Sequence, residues 1–232
     1  MSVTIQVWDL PLRLFHWLLA LSVAAAIVTG EIGGNLIDWH GRIGVLILGL
    51  LVFRIIWGFV GSTHARFSSF FPTPAKIAAY LKGQWQGHGH NPLGAVSVLA
   101  LLGVLATLVG AGLFANDDIA FQGPLFSLVN KSLSDKLSAV HELAFNVLAG
   151  LLILHIAAIV FYVRVKKHNL VVPMLTGKKS VPQAQVVAAS GVGVLRFLAA
   201  LAISGVVVWG VSSGMQYFSP VHTVPAVATP NW

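Results

Sequence analysis

The chain alternates between long apolar runs and short polar breaks. Five stretches approach the roughly 20 residues that a helix needs to cross a bilayer core. They run from about 12 to 30, 39 to 60, 93 to 115, 137 to 163 and 192 to 211. Asp9 stands as an N-cap before the first, with Pro11 in its first turn. A secretory signal peptide is the competing reading of this span, since Ala24 and Ala26 resemble a cleavage site. The poor positive start and the histidine inside the run favour a membrane span. The pattern predicts an all-α integral membrane protein, a bundle of about five transmembrane helices, with no soluble domain. Residues 1–180 form one transmembrane unit of four spans, and 181–232 hold the fifth span and an extended tail.

The breaks carry their own signals. Residues 73–83 read as a short interfacial helix, with Pro74 in its first turn and Lys76 and Lys82 toward headgroups. The segment 116–136 is the longest loop on its side and a candidate docking surface or lid. Trp8, Trp17, Trp39, Trp57, Trp85, Trp209 and Trp232 cluster near span ends and read as an interfacial aromatic belt.

Charge adds orientation. The chain has 14 Lys+Arg and 7 Asp+Glu among 232 residues, a formal net charge of +7. Eleven of the bases fall on the side of the N-terminus: Arg13, Arg54, Arg66, Lys76, Lys82, Arg164, Lys166, Lys167, Lys178, Lys179 and Arg196. The other side holds Arg42, Lys131 and Lys136, together with six of the seven acids. That asymmetry predicts a cytoplasmic N-terminus and an external C-terminus. The basic balance thus records orientation in a lipid membrane, and no nucleic-acid partner is implied. The outer excess of acids suits a basic partner patch. With 0 cysteines, disulfides, thiolate zinc, iron–sulfur clusters and covalent haem attachment are excluded.

The 9 histidines supply the candidate chemistry. His16, His40, His141 and His155 lie in or at the ends of spans, where ionisable groups are rare and mark functional sites. Taken singly, each could be a neutral imidazole bonded to a neighbouring helix. Taken together they show a pattern. His141 and His155 are 14 residues apart, so they share one face of the fourth span at depths about 21 Å apart. His16 lies near the inner end of the first span and His40 at the outer start of the second. Two pairs follow, His16 with His155 and His40 with His141. Facing imidazoles across an apolar slot are the axial ligand set of a six-coordinate b-type haem. Zinc needs three or four clustered ligands, and a proton relay needs acids within the spans. Neither pattern is present.

Arg13, three residues before His16, and Arg54, 14 residues after His40, could each pair with a propionate of the inner haem or anchor at the headgroups. Gly41, Gly44 and Gly150 would let backbones or a macrocycle approach closely. His64, His88, His90, His168 and His222 fall in loops and read as surface residues.

The stretches VWDLPLRLFHWLLA, DWHGRIG, FRIIWGFVG, GLFANDDI, VHELAFNVLAGLLILHIAAIVFY and KKHNLVVPMLTGKK carry a family resemblance. Over roughly residues 5–180 the chain resembles the bacterial di-haem b-type membrane cytochromes. These include prokaryotic cytochrome b561 and the cytochrome b subunits of nickel–iron hydrogenase and respiratory formate dehydrogenase. The resemblance implies a four-helix haem-binding core in the bacterial inner membrane. It implies two non-covalent haem b groups on His16, His40, His141 and His155. It also implies electron transfer between quinone and a periplasmic redox protein, such as a small c-type cytochrome. GLFANDDI and NLVVPMLTGKK look most like a stand-alone cytochrome b/b6-type member.

Three alternatives stand beside that reading: a hydrogenase or dehydrogenase anchor subunit, a stand-alone quinone or superoxide oxidoreductase, and a non-haem transporter or anchor. The quinone site is expected near Arg13 and the loop after Val163. Whether the chain forms an oligomer is left open.

Overall fold

A computed structural model describes residues 2–87, 89–119, 121–182 and 191–213. The predicted tail beyond residue 213, with His222 and Trp232, lies outside the described residues, as does His88. The elements run β1 (Ser2–Gln6), α1 (Leu10–Ile32), α2 (Ile37–Val60), α3 (Phe67–Phe70), α4 (Pro74–Leu81), α5 (Pro92–Gly112), α6 (Lys131–Arg164), α7 (Val171–Thr176), β2 (Lys178–Pro182) and α8 (Val194–Ser212). Five of these helices, α1, α2, α5, α6 and α8, are long and apolar enough to cross a membrane.

The starts of the helices follow from local chemistry. The Asp9 carboxylate accepts from the Leu12 amide at 2.7 Å, with Pro11 in the first turn, so α1 begins where the sequence predicts. Asn91 caps α5 by accepting from Gly94 at 2.7 Å, and Asn130 caps α6 by accepting from Leu133 at 2.9 Å. The predicted interfacial helix forms as α4, capped by Thr73.

α6 is longer than predicted. It has 34 residues and begins at Lys131, about two turns before the apolar run. The predicted external loop 116–136 is correspondingly shorter, and it folds back on the helix. Ser134 is fully buried and donates to the Phe114 carbonyl at 2.6 Å. The Asn116 amide side chain donates to Ser134 and Asp135.

α1 packs on α2, α5 on α6, and α2 also on α8 and α5. Two apolar clusters fill the interior. One holds Trp8, Leu12, Phe15, Phe53, Trp57 and Ala200, at the end where α1 begins. The other holds Val23, Ile47, Leu51, Leu105, Val109 and Leu148, toward the far end.

A two-stranded ribbon, absent from the sequence reading, closes the first end. β1 and β2 pair antiparallel, with Thr4 opposite Ser180. Gly177, at φ 81°, turns the chain between α7 and β2, and its carbonyl accepts from the Val7 amide at 2.8 Å. The start of the chain is thereby tied to the segment after α6.

Two tryptophans depart from the predicted aromatic belt. Trp57 is 1% exposed and Trp8 is buried. The Trp57 indole donates to the second oxygen of Asp9 at 3.0 Å. That bond satisfies the one polar atom of the ring and allows the whole side chain into the core.

Candidate functional site

His40 stands in the first turn of α2 and His141 on α6, and the fold brings them face to face. Their ring centroids are 5.9 Å apart and inclined at 78°. His40 Nδ1 lies 2.8 Å from the Ala26 carbonyl oxygen of α1. His141 Nδ1 lies 2.8 Å from the Leu108 carbonyl oxygen of α5. A carbonyl only accepts, so each Nδ1 carries a proton, and in the neutral ring the Nε2 lone pair is then free. This is the neutral tautomer that ligates a metal, oriented by a backbone acceptor as ligating histidines usually are.

Two glycines make these placements possible. A Cβ on Gly30 would stand 2.9 Å from His40 Nδ1, and one on Gly112 would stand 2.9 Å from His141 Nδ1. Both lie where a ring crosses a neighbouring helix. Sequence reasoning singled out other glycines. Of those, Gly41 makes room for Phe121, with a virtual Cβ 2.8 Å from its ring. Gly44 and Gly150 face open space. A side chain at either position would fill part of it.

His16 and His155 form the second predicted pair, on α1 and α6. They lie close enough for their charges to interact. His16 packs edge-on against Trp17, with centroids 5.0 Å apart, and its Nδ1 is buried without a hydrogen-bond partner.

The two arginines differ in their surroundings. Arg13 donates from Nη1 to the Leu175 carbonyl of α7, while its Nε is buried without a partner. Trp17 adds a bond from its indole to the Met174 carbonyl at 3.3 Å. The loop after Val163 is therefore closed over α1. Arg54 does not snorkel. It is 2% exposed, with its guanidinium carbon 4.6 Å from the ring centre of Phe67 and 5.9 Å from that of Phe70. Both of its Nη atoms lack hydrogen-bond partners.

The loop histidines divide. His168 is exposed, as predicted, and His64 is half-buried. His90 is no surface residue. Its ring lies 4.6 Å from Trp8 and 4.6 Å from Phe70, and its Nδ1 is buried without a partner. Burial, then the charges of Arg54, His64 and His16, push its pKa down to about 3. Trp8 and Phe70 come from opposite sides of α2 in the sequence, so no local signal marks this enclosure. Beside His90 lies a cavity of about 270 Å³, lined also by His64, Lys76, Trp85 and Gln86. This cavity is formed by the segment between α2 and α5, and Arg13 is not among its lining residues.

These residues fit a b-type haem. His40 and His141 would hold it, each through the Nε2 that its carbonyl-bound Nδ1 leaves facing the gap. The buried unpartnered donors near His16 suit an anionic group. Among the described residues no three His, Cys, Asp or Glu side chains cluster for a metal.

A family model described as prokaryotic cytochrome b561 matches residues 7–177. The chain is 30% identical over 146 residues to a probable Ni/Fe-hydrogenase B-type cytochrome subunit of Azotobacter vinelandii. That match covers 49% of this chain and 60% of the relative. The protein of the same description from Rhodobacter capsulatus is 25% identical over 217 residues, covering 76% of this chain and 82% of that one. A probable Ni/Fe-hydrogenase 1 B-type cytochrome subunit of Escherichia coli K12 is 24% identical over 146 residues, 49% of this chain and 61% of the relative. The chain thus spans about three fifths of the length of the Azotobacter and Escherichia relatives. No solved structure matches. With five membrane-length helices and a match over most of its length, the chain is a multi-pass membrane protein of the prokaryotic cytochrome b561 family.

Proposed function

We propose that this protein carries electrons across the bacterial inner membrane through two b-type haems, between the quinone pool and a redox protein outside. His16 and His155 would hold the inner haem, and His40 and His141 the outer one. The observation that carries the reading is the outer pair: two imidazoles 5.9 Å apart, each fixed by a backbone carbonyl in the ligating tautomer. A bis-histidine haem supplies one-electron chemistry without an open coordination position.

The chain's own residues do the rest. α6 carries His141 and His155 on one face, which sets two sites in line along the membrane normal. Arg54 and Arg13 give the inner end its cationic donors, for haem carboxylates. The distribution of bases favours a cytoplasmic N-terminus, and with that orientation the cavity beside His90 would face the cytoplasmic side. Aromatic Trp85 and polar His64, Lys76 and Gln86 suit a quinone headgroup there. On the far side three bases face six acids, an excess that favours a partner with a basic docking patch, such as a c-type cytochrome.

The names of the relatives favour a second reading. Those proteins are described as hydrogenase cytochrome subunits, so the outer partner would be a hydrogenase. A reduced-minus-oxidised spectrum of the purified protein tests what both readings share. Bands of a six-coordinate b-type haem are expected, and their absence after expression with ample haem overturns both.

A further inference from the structure

Among the described residues, five buried side-chain nitrogen or oxygen atoms lack a hydrogen-bond partner: Arg13 Nε, His16 Nδ1, Arg54 Nη1 and Nη2, and His90 Nδ1. All five lie at the end of the bundle where α1 begins. The three arginine nitrogens are donors, and each imidazole Nδ1 donates in its Nδ1–H tautomer. Buried donors left unpaired are destabilising, more so when they are charged. A concentration of them at one place therefore calls for an acceptor.

The acid whose charge reaches Arg54, Asp9, does not serve. One of its oxygens accepts from the Leu12 amide and the other from the Trp57 indole. Its field reaches Arg54, but no hydrogen bond joins them. Arg54 and His90 meet around one ring. The Arg54 guanidinium is 5.9 Å from the centre of Phe70, and the His90 ring is 4.6 Å from it. Trp8 closes the other side of His90. This holds the imidazole in place without using its Nδ1.

We propose that Arg54 and His90 together form a carboxylate-binding cradle for the haem held by His16 and His155. Arg54 supplies two N–H donors from its guanidinium fork, and neutral His90 supplies a third from Nδ1. The inference rests on the di-haem reading and adds His90 to it as a positioning residue. No covalent step is involved. The consequence is electrostatic. Donors on the carboxylate withdraw negative charge from the surroundings of the iron, so they favour the reduced state. Removing them lowers the reduction potential of the inner haem and leaves the outer one unchanged.

The test is a redox titration of the purified, haem-loaded protein, resolving two spectral components. The component lost in His155→Ala identifies the inner haem. Arg54→Gln is expected to shift the inner reduced-to-oxidised ratio about tenfold toward oxidised, about 59 mV for one electron. His90→Phe keeps a ring between Trp8 and Phe70 but removes the donor, and is expected to shift the ratio severalfold in the same direction. His90→Gln restores a donor and is expected to titrate like the parent protein. An unchanged inner potential in His90→Phe overturns the cradle, as do equal shifts in the Phe and Gln variants. If His90→Phe loses the inner haem, retention of the parent potential by His90→Gln supports the cradle, and loss of that haem from both overturns it. A parent protein with no inner component instead defeats the di-haem reading itself.

Discussion

The imidazoles of His40 and His141 face each other at 5.9 Å, and each rests its Nδ1 on a carbonyl of a different third helix, α1 or α5. Four helices therefore determine one pair of rings. α2 and α6 supply the side chains, while α1 and α5 set their rotation and tautomer. The close approach depends on Gly30 and Gly112.

Gly30→Val and Gly112→Val test that dependence. In each variant the new Cβ falls 2.9 Å from a histidine Nδ1, so the ring must turn off its carbonyl. Each variant is expected to lose the outer haem, or to bind it much more weakly, while the inner haem remains. Haem-to-protein ratios from pyridine haemochrome spectra check this. Full loading of both variants contradicts it.

Asp9→Ala removes three supports at once. The cap of α1 is lost, at about 0.5–2 kcal/mol. The buried Trp57 indole loses its acceptor, at roughly 1–3 kcal/mol. Arg54 also loses its counter-charge. A fall of at least about 2 kcal/mol in stability is expected, read as a lower midpoint in thermal or denaturant unfolding in detergent. A midpoint equal to that of the parent would show that the contacts of Asp9 carry no weight.

The legibility of the fold in the sequence was uneven. The spans were readable because charge-free runs of membrane length have few alternatives. The first two turns of α6 were not. Lys131, Asp135 and Lys136 end an apolar run, although Asn130 caps the helix before them and Lys131 pairs with Asp135 at 2.8 Å. The β1–β2 ribbon escaped notice because it joins five-residue segments more than 170 residues apart. The juxtaposition of His40 and His141 is legible from helical spacing and depth. Gly30 and Gly112 were two among 23 glycines, and only the neighbouring helix distinguishes them. Trp57 and His90 depart from the sequence expectation for one reason: position near a span end says nothing of what packs over it. Asp9 draws Trp57 inward, and Trp8 with Phe70 encloses His90.

That enclosure has a pH signature. His90 has a folded pKa of about 3 against an ordinary value of 6.5. Between those values the unfolded chain binds the extra proton and the folded one does not. Stability then rises with pH across this window, and is lost progressively as pH falls from about 6.5 toward 3. Above the window this group contributes no slope. Thermal midpoints of the haem-free protein at pH 7.5 and pH 5 are expected to differ in the parent, with a smaller difference in His90→Phe. An equal pH response in both would place the titrating group elsewhere.

The central claim is that two histidine pairs hold two haems, and haem stoichiometry in the parent protein and in His155→Ala tests it most directly. Two haems per chain are expected in the parent and one in the variant, with the outer spectral component intact. A parent with fewer than two haems, or a variant that keeps both, would contradict it.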